Sequence, residues 1–115
     1  NWMSFDYIAI AGEGLVGLED VEAKPNSGLI LSQNIPNPFS QMTRINYSLP
    51  EAGNVLLEVY DITGKKVASL VNENKPTGMH SCLFLAGENL PRGVYVAWLT
   101  FNKSIATKRM ILIGD

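Results

Sequence analysis

The chain is poor in the residues that do chemistry. It has one cysteine, Cys82, and one histidine, His80. A single cysteine excludes an internal disulfide and a cysteine metal cluster, and a single histidine leaves no pair for a zinc site. A Ser-His-Asp arrangement would have to be built around His80, and no Gly-x-Ser-x-Gly turn is present to expose a nucleophile. His80 alternates with Cys82 and Phe84 in an extended run. It therefore reads as a structural histidine bonded to backbone or water, with Cys82 as a small buried hydrophobe. No glycine-rich phosphate loop leads into a helix. The carboxylates Glu13, Glu19, Asp20 and Glu22 fall on a glycine-containing stretch, where a glycosidase pair could not be held rigidly. The chain is read as a non-enzyme with neither metal nor cofactor.

Other absences bound the class. No apolar run approaches the roughly 18 residues of a membrane span. The net charge of −2 argues against a nucleic-acid footprint. No segment shows sustained helical periodicity, so the chain is expected to be all-β. What is present suffices for one core: 46% of the 115 residues are hydrophobic and 17% charged, which is not the composition of a disordered chain. The sequence starts at Asn1 with no basic-then-apolar leader, and is read as the tail of a longer precursor.

Three regions follow from the pattern. Residues 2–10 alternate, with Trp2, Ile8 and Ile10 on one face and Met3, Phe5 and Tyr7 on the other. Such a strand needs covering on both sides, so residues 1–10 are expected to be the closing strand of an upstream cargo domain, or a strand donated to a neighbour. Residues 11–28, with Gly12, Gly14, Gly17, Pro25 and Gly28, have linker composition. From residue 29 to 115 the pattern predicts seven strands, at about 29–33, 43–49, 54–61, 66–71, 79–85, 94–101 and 104–113. Ile45, Tyr47 and Leu49 share one face, as do Val55, Leu57 and Val59, and Tyr95, Ala97, Leu99 and Phe101. Turn signals recur between them: Pro50-Glu51-Ala52-Gly53, then Asp61-Ile62-Thr63-Gly64, where the aspartate caps a turn and glycine takes positive φ. Residues 72–78 and 86–93 read as longer surface connections. The expectation is a seven-stranded Ig-like antiparallel β-sandwich without the disulfide of antibody domains.

Three features stand out as candidates for recognition. Gln33-Asn34-Ile35-Pro36-Asn37-Pro38-Phe39 carries two prolines that fix φ and push Ile35 and Asn37 toward extended geometry. It reads as a rigid kinked opening to the sandwich, pinned by Ile35 and Phe39. Gly64-Lys65-Lys66 forms a basic hairpin tip. Lys108 and Arg109 precede Met110-Ile111-Leu112-Ile113, an apolar run that must pair inside a sheet or be received by a partner.

Four elements recur in order over residues 29–113. They are the Pro-Asn-Pro opening, Val59-Tyr60-Asp61 with its Gly64-Lys65-Lys66-Val67 turn, Gly93-Val94-Tyr95, and the basic-apolar Lys108-to-Ile113 run. Together they resemble the C-terminal sorting domain of type IX secretion cargo, an Ig-like module. Departures are Ile35, where the family more often has tyrosine, and the Gly114-Asp115 ending in place of lysine or arginine. The resemblance implies a targeting signal. Its recognition positions here would be Pro36, Asn37, Pro38, Phe39, Asp61, Gly64, Lys65, Gly93, Tyr95, Lys108, Met110 and Ile111. The implied partners are the type IX outer-membrane translocon, a surface transpeptidase that removes the tail, and the upstream cargo domain in the same precursor. The implied route runs through the periplasm to the cell surface or medium. Cleavage would be expected in the linker, near residues 12–28, where extended backbone suits a protease. The alternative is a structural Ig-like subunit that assembles into fibres or oligomers by donating residues 1–10. Carbohydrate binding would need exposed coplanar aromatics, for which Tyr60 and Trp98 are the outward-leaning candidates.

Overall fold

The computed structural model describes residues 27–87 and 90–114. The expected strand 2–10, most of the linker with its cleavage region, and the strand-donation alternative lie outside them. The described residues form seven strands: β1 (Ile30–Leu31), β2 (Met42–Leu49), β3 (Gly53–Asp61), β4 (Lys66–Lys75), β5 (Gly78–Leu85), β6 (Gly93–Phe101) and β7 (Ser104–Leu112). They make two antiparallel sheets, a front sheet in the order β1-β2-β5 and a back sheet in the order β4-β3-β6-β7. The chain crosses between sheets after β2, β4 and β5, so the sandwich is a Greek-key one. In the constant-type antibody domain the fourth strand lies with the first, second and fifth; here β4 pairs with β3 instead.

Period-two alternation builds the core. Leu31, Ile45, Tyr47, Leu49 and Phe84 face inward from the front sheet. Val55, Leu57, Val59, Tyr95, Ala97, Leu99, Phe101, Met110 and Leu112 meet them from the back sheet. Each buried Val, Leu, Ile, Phe or Met among them contributes about 1.5–3 kcal/mol of transfer free energy. The back sheet has a second, smaller cluster on its outer face, where Val96 and Trp98 are buried beside Tyr60 and Ile105.

The structure corrects two local expectations. β4 runs on to Lys75, so residues 72–75 are strand, and only Pro76 and Thr77 separate β4 from β5. Asn72, Glu73 and Asn74 looked like loop composition, but pairing with Leu56, Val55 and Asn54 of β3 overrides their low strand propensity. β1 shrinks to two residues because the chain after Leu31 turns into the proline-rich loop; Ser32 and Ile35 still donate their amides to Asn46 and Arg44 of β2.

Candidate functional site

The proline-rich loop is held by side chains beneath it. Asn34 is buried at 2% exposure. Its Nδ2 donates to the Pro36 carbonyl at 3.0 Å and to Thr43 Oγ1 at 2.9 Å. Thr43, also buried, donates its hydroxyl to the same Pro36 carbonyl at 2.8 Å. Gln33 Nε2 bridges Asn34 Oδ1 and the Arg109 carbonyl. Thr43 shares the inward parity of Ile45, Tyr47 and Leu49, and a polar residue at an inward position is the one sequence signal that could have revealed this network. Nothing marked Asn34. Ile35, expected to pin the loop, is 65% exposed. The buried polar pair does that work, because an extended loop turns alternate side chains out and Ile35 lies on the solvent side.

The loop is stitched to β7. The Ile111 amide donates to Asn37 Oδ1 at 2.9 Å, the Phe39 amide donates to the Ile111 carbonyl, and the Ile113 amide donates to the Phe39 carbonyl. Phe39 and Leu112 form a parallel bridge. Phe39 itself is 1% exposed and meets Phe84 edge-on at 5.9 Å between ring centres. It closes the space between the sheets. Both X-Pro bonds of the loop are cis.

The second group of candidate residues lies at the β3–β4 hairpin. Asp61 Oδ1 accepts from the Thr63 amide, the Thr63 hydroxyl and the Lys65 amide, at 2.9, 2.6 and 3.0 Å. Gly64 completes the turn at φ +90°. Partial burial alone would raise the Asp61 carboxyl. The Thr63 hydroxyl, the Lys65 and Thr63 amides and the Lys65 charge overcome that and hold it below its ordinary value. Asp61 pairs with Tyr95, and Tyr95 with Met110, in one row across the back sheet. The Tyr95 hydroxyl donates to the Pro91 carbonyl at 2.6 Å. Asp61, Lys65, Gly93 and Tyr95 line one shallow cleft of about 440 Å³ with Leu90 and Arg92.

The candidates thus fall into two groups. Pro36, Asn37, Pro38 and Ile111 are exposed and contiguous on the loop–β7 edge. Asp61, Lys65 and Gly93 sit together at the hairpin end, where the Gly64 amide donates to the Asp61 carbonyl. Phe39, Tyr95 and Met110 are buried and tie both groups to the core. Lys108 is half-buried opposite Ala97 on β7.

The remaining chemistry-bearing residues are structural in their contacts. His80 Nε2 lies 2.7 Å from the Pro76 carbonyl, and its ring stacks on Tyr47 at 5.4 Å. Burial pushes the Cys82 thiol up, which Lys75 only partly offsets, so it is no ready nucleophile. Glu58, buried on the outer face of the back sheet, accepts from the Tyr60 hydroxyl at 2.9 Å and pairs with Lys66 at 3.1 Å. Burial and then the Glu58 carboxylate raise the Tyr60 phenol to about 12. Trp98 is 4% exposed and tilted 51° from Tyr60, so the two present no flat aromatic platform for a sugar. Among the described residues, no group of three or more His, Cys, Asp or Glu is placed to hold a metal.

Fold and site define a small all-β module whose distinguishing surfaces are loops and strand edges fastened to a buried, mainly apolar core. A sequence model of the secretion system C-terminal sorting domain matches residues 34–113. The chain belongs to that family, the sorting domains of type IX secretion. The matched span opens on Asn34, which anchors the loop, and closes on Ile113, which pairs with Phe39. Among curated proteins, none matches the chain. The family is one of sorting signals and not of enzymes, and its role is in export.

Proposed function

We propose that this domain is the export signal read by the type IX outer-membrane translocon, which sends an upstream cargo to the cell surface or the medium. The observation that carries the reading is the joining of the loop to β7. The Pro36-Asn37-Pro38 backbone and the Lys108-to-Ile113 run, more than 70 residues apart in sequence, form one surface through Asn37 and Ile111. A receptor that must test whether a domain has folded before passing it outward gains from reading such a composite. It exists only once the last strand has paired. Pro36, Asn37, Pro38 and Ile111 are the exposed contacts; Phe39, Tyr95 and Met110 hold them in place; Asp61, Gly64, Lys65 and Gly93 form a second contact at the hairpin end. Transpeptidase removal of the domain and lipopolysaccharide attachment of the cargo would follow translocation.

The test is a reporter carrying a leader peptide fused to residues 29–115 in a type IX host. The expected result is reporter on the surface or in the medium, with Asn37→Ala reducing export while the purified domain keeps its β circular dichroism. Periplasmic retention of the wild-type fusion overturns the reading.

A further inference from the structure

Among the described residues, the long edge strands β7, β4 and β5 differ in how they are guarded. β7 is covered by the proline-rich loop. β4 carries two register shifts against β3 and the charged Lys66, Glu73 and Lys75, devices that keep an edge from pairing with another chain. β5 has neither. Gly78–Leu85 contains no Asp, Glu, Lys or Arg, and its register with β2 is unbroken over all eight residues. Among the described residues, only β2 pairs with it.

The backbone phase of the free edge follows from β1. Arg44 exchanges hydrogen bonds with Ile35, and the Asn46 carbonyl accepts from Ser32, so these residues of β2 aim their backbone away from β5. Alternation then aims Thr43, Ile45, Tyr47 and Leu49 at their partners Phe84, Cys82, His80 and Gly78. The amides and carbonyls of Met79, Ser81, Leu83 and Leu85 are left pointing to the open side. Their side chains share the outer face, where Met79, Leu83 and Leu85 are 82%, 45% and 66% exposed. Met42, also exposed, extends that apolar face beside Leu85, while Arg44 lies beside Leu83 and donates to the Ser81 hydroxyl at 3.3 Å.

We propose that β5 is a docking edge for β5 of a second copy of this chain, antiparallel and centred on Cys82. The phase permits few registers, because open-edge residues must meet open-edge residues. The one that uses all of them sets Met79 opposite the second copy's Leu85 and Ser81 opposite its Leu83. No like charges meet. The two front sheets become one continuous sheet, and the two-fold axis passes through Cys82, making the interface isologous. Facing cysteines at a non-hydrogen-bonded position would have Cα atoms about 4.5 Å apart, at the near end of the roughly 4.4–6.8 Å range that a disulfide spans. The role is separate from sorting: the proline-rich loop pairs with β2 on the side opposite β5, in line with β1.

Sedimentation of the reduced 115-residue chain, from low micromolar to millimolar, is expected to show mass rising toward double. Ser81→Pro removes an amide aimed at the open edge, and Leu83→Glu puts a carboxylate on each side of the axis. Whichever of these keeps the wild-type circular dichroism is expected to sediment at the single mass throughout. With diamide, the two facing thiols give up two electrons and two protons, joining as a disulfide while diamide becomes the hydrazine. A covalent dimer is expected from wild type and from neither Cys82→Ser nor the edge variant. A single mass at every concentration overturns the proposal. So does a double mass that survives the edge substitutions, or one that appears only after removal of residues 1–26, which would make that segment the occupant of the edge.

Discussion

The two flanks of the front sheet treat the same physical problem in opposite ways. On the side toward β7, a loop with two prolines lays its backbone and the Asn37 side chain onto the last strand and drives Phe39 between the sheets. On the other side, among the described residues, β5 ends the sheet with its outer backbone unpaired and Met79, Leu83 and Leu85 exposed. Exposed apolar residues occur on both sides, Ile111 and Ile113 on one and Leu83 and Leu85 on the other. Apolarity alone therefore does not tell a closed edge from an open one. Satisfaction of the backbone does.

Truncations graded along the two flanks test that contrast. Phe39→Ala should cost most, about 3–5 kcal/mol, because it empties a site between the sheets that little else can fill; a urea titration measures it, and a loss below 1 kcal/mol would mean that the loop does not close the core. Asn34→Ala should follow at about 1–3 kcal/mol, since it strips a donor from the Pro36 carbonyl and from the buried Thr43 hydroxyl. A melt matching wild type would place the anchoring elsewhere. Asn37→Ala removes one exposed bond and should cost about 1 kcal/mol, read most directly as faster exchange of the Ile111 amide.

At the hairpin tip the effect is smaller and depends on pH. Asp61 is held below its ordinary value in the fold, so the folded state binds fewer protons than the unfolded chain in mild acid. The stability this gives is present above the unfolded carboxylate range, near pH 4, and is lost as pH falls through the folded value. Asp61→Asn should flatten the acid limb of a plot of melting temperature against pH; an unchanged limb would show that the local bonds do not favour the charged form. Smallest is Leu85→Ala on the open flank, within about 0.5 kcal/mol at concentrations where the chain is monomeric. A loss rivalling that of Phe39→Ala would erase the distinction between the flanks.

Much of this was legible in the residues. The residues expected to share a face on β2, β3 and β6 do so, and all but Thr43 of the inward set are apolar; on β2 a one-residue slip would put those core side chains in water. The Asp61 cap and Gly64 turn are local chemistry and were read as such. Two things were not legible. Residues 72–75 have loop composition, and only pairing with β3 makes them strand. Of the two apolar pins expected for the proline-rich loop, Phe39 is buried and Ile35 is exposed, and the place given to Ile35 is filled by Asn34 and Thr43. Their value comes from partners at Pro36, which no local pattern reveals.

The amino-acid order by itself determined that the protein is all-β, where most strands begin, which residues line the core, and which family its motifs resemble. Those properties depend on period-two alternation and on turn residues, both local along the chain. The tertiary structure alone decided that the proline-rich loop rides on β7, that β4 joins the back sheet, and that β5 pairs only with β2 among the described residues. Each of those depends on which distant backbone groups satisfy one another, and hydrogen bonds between residues far apart in sequence are fixed only when the sheets come together.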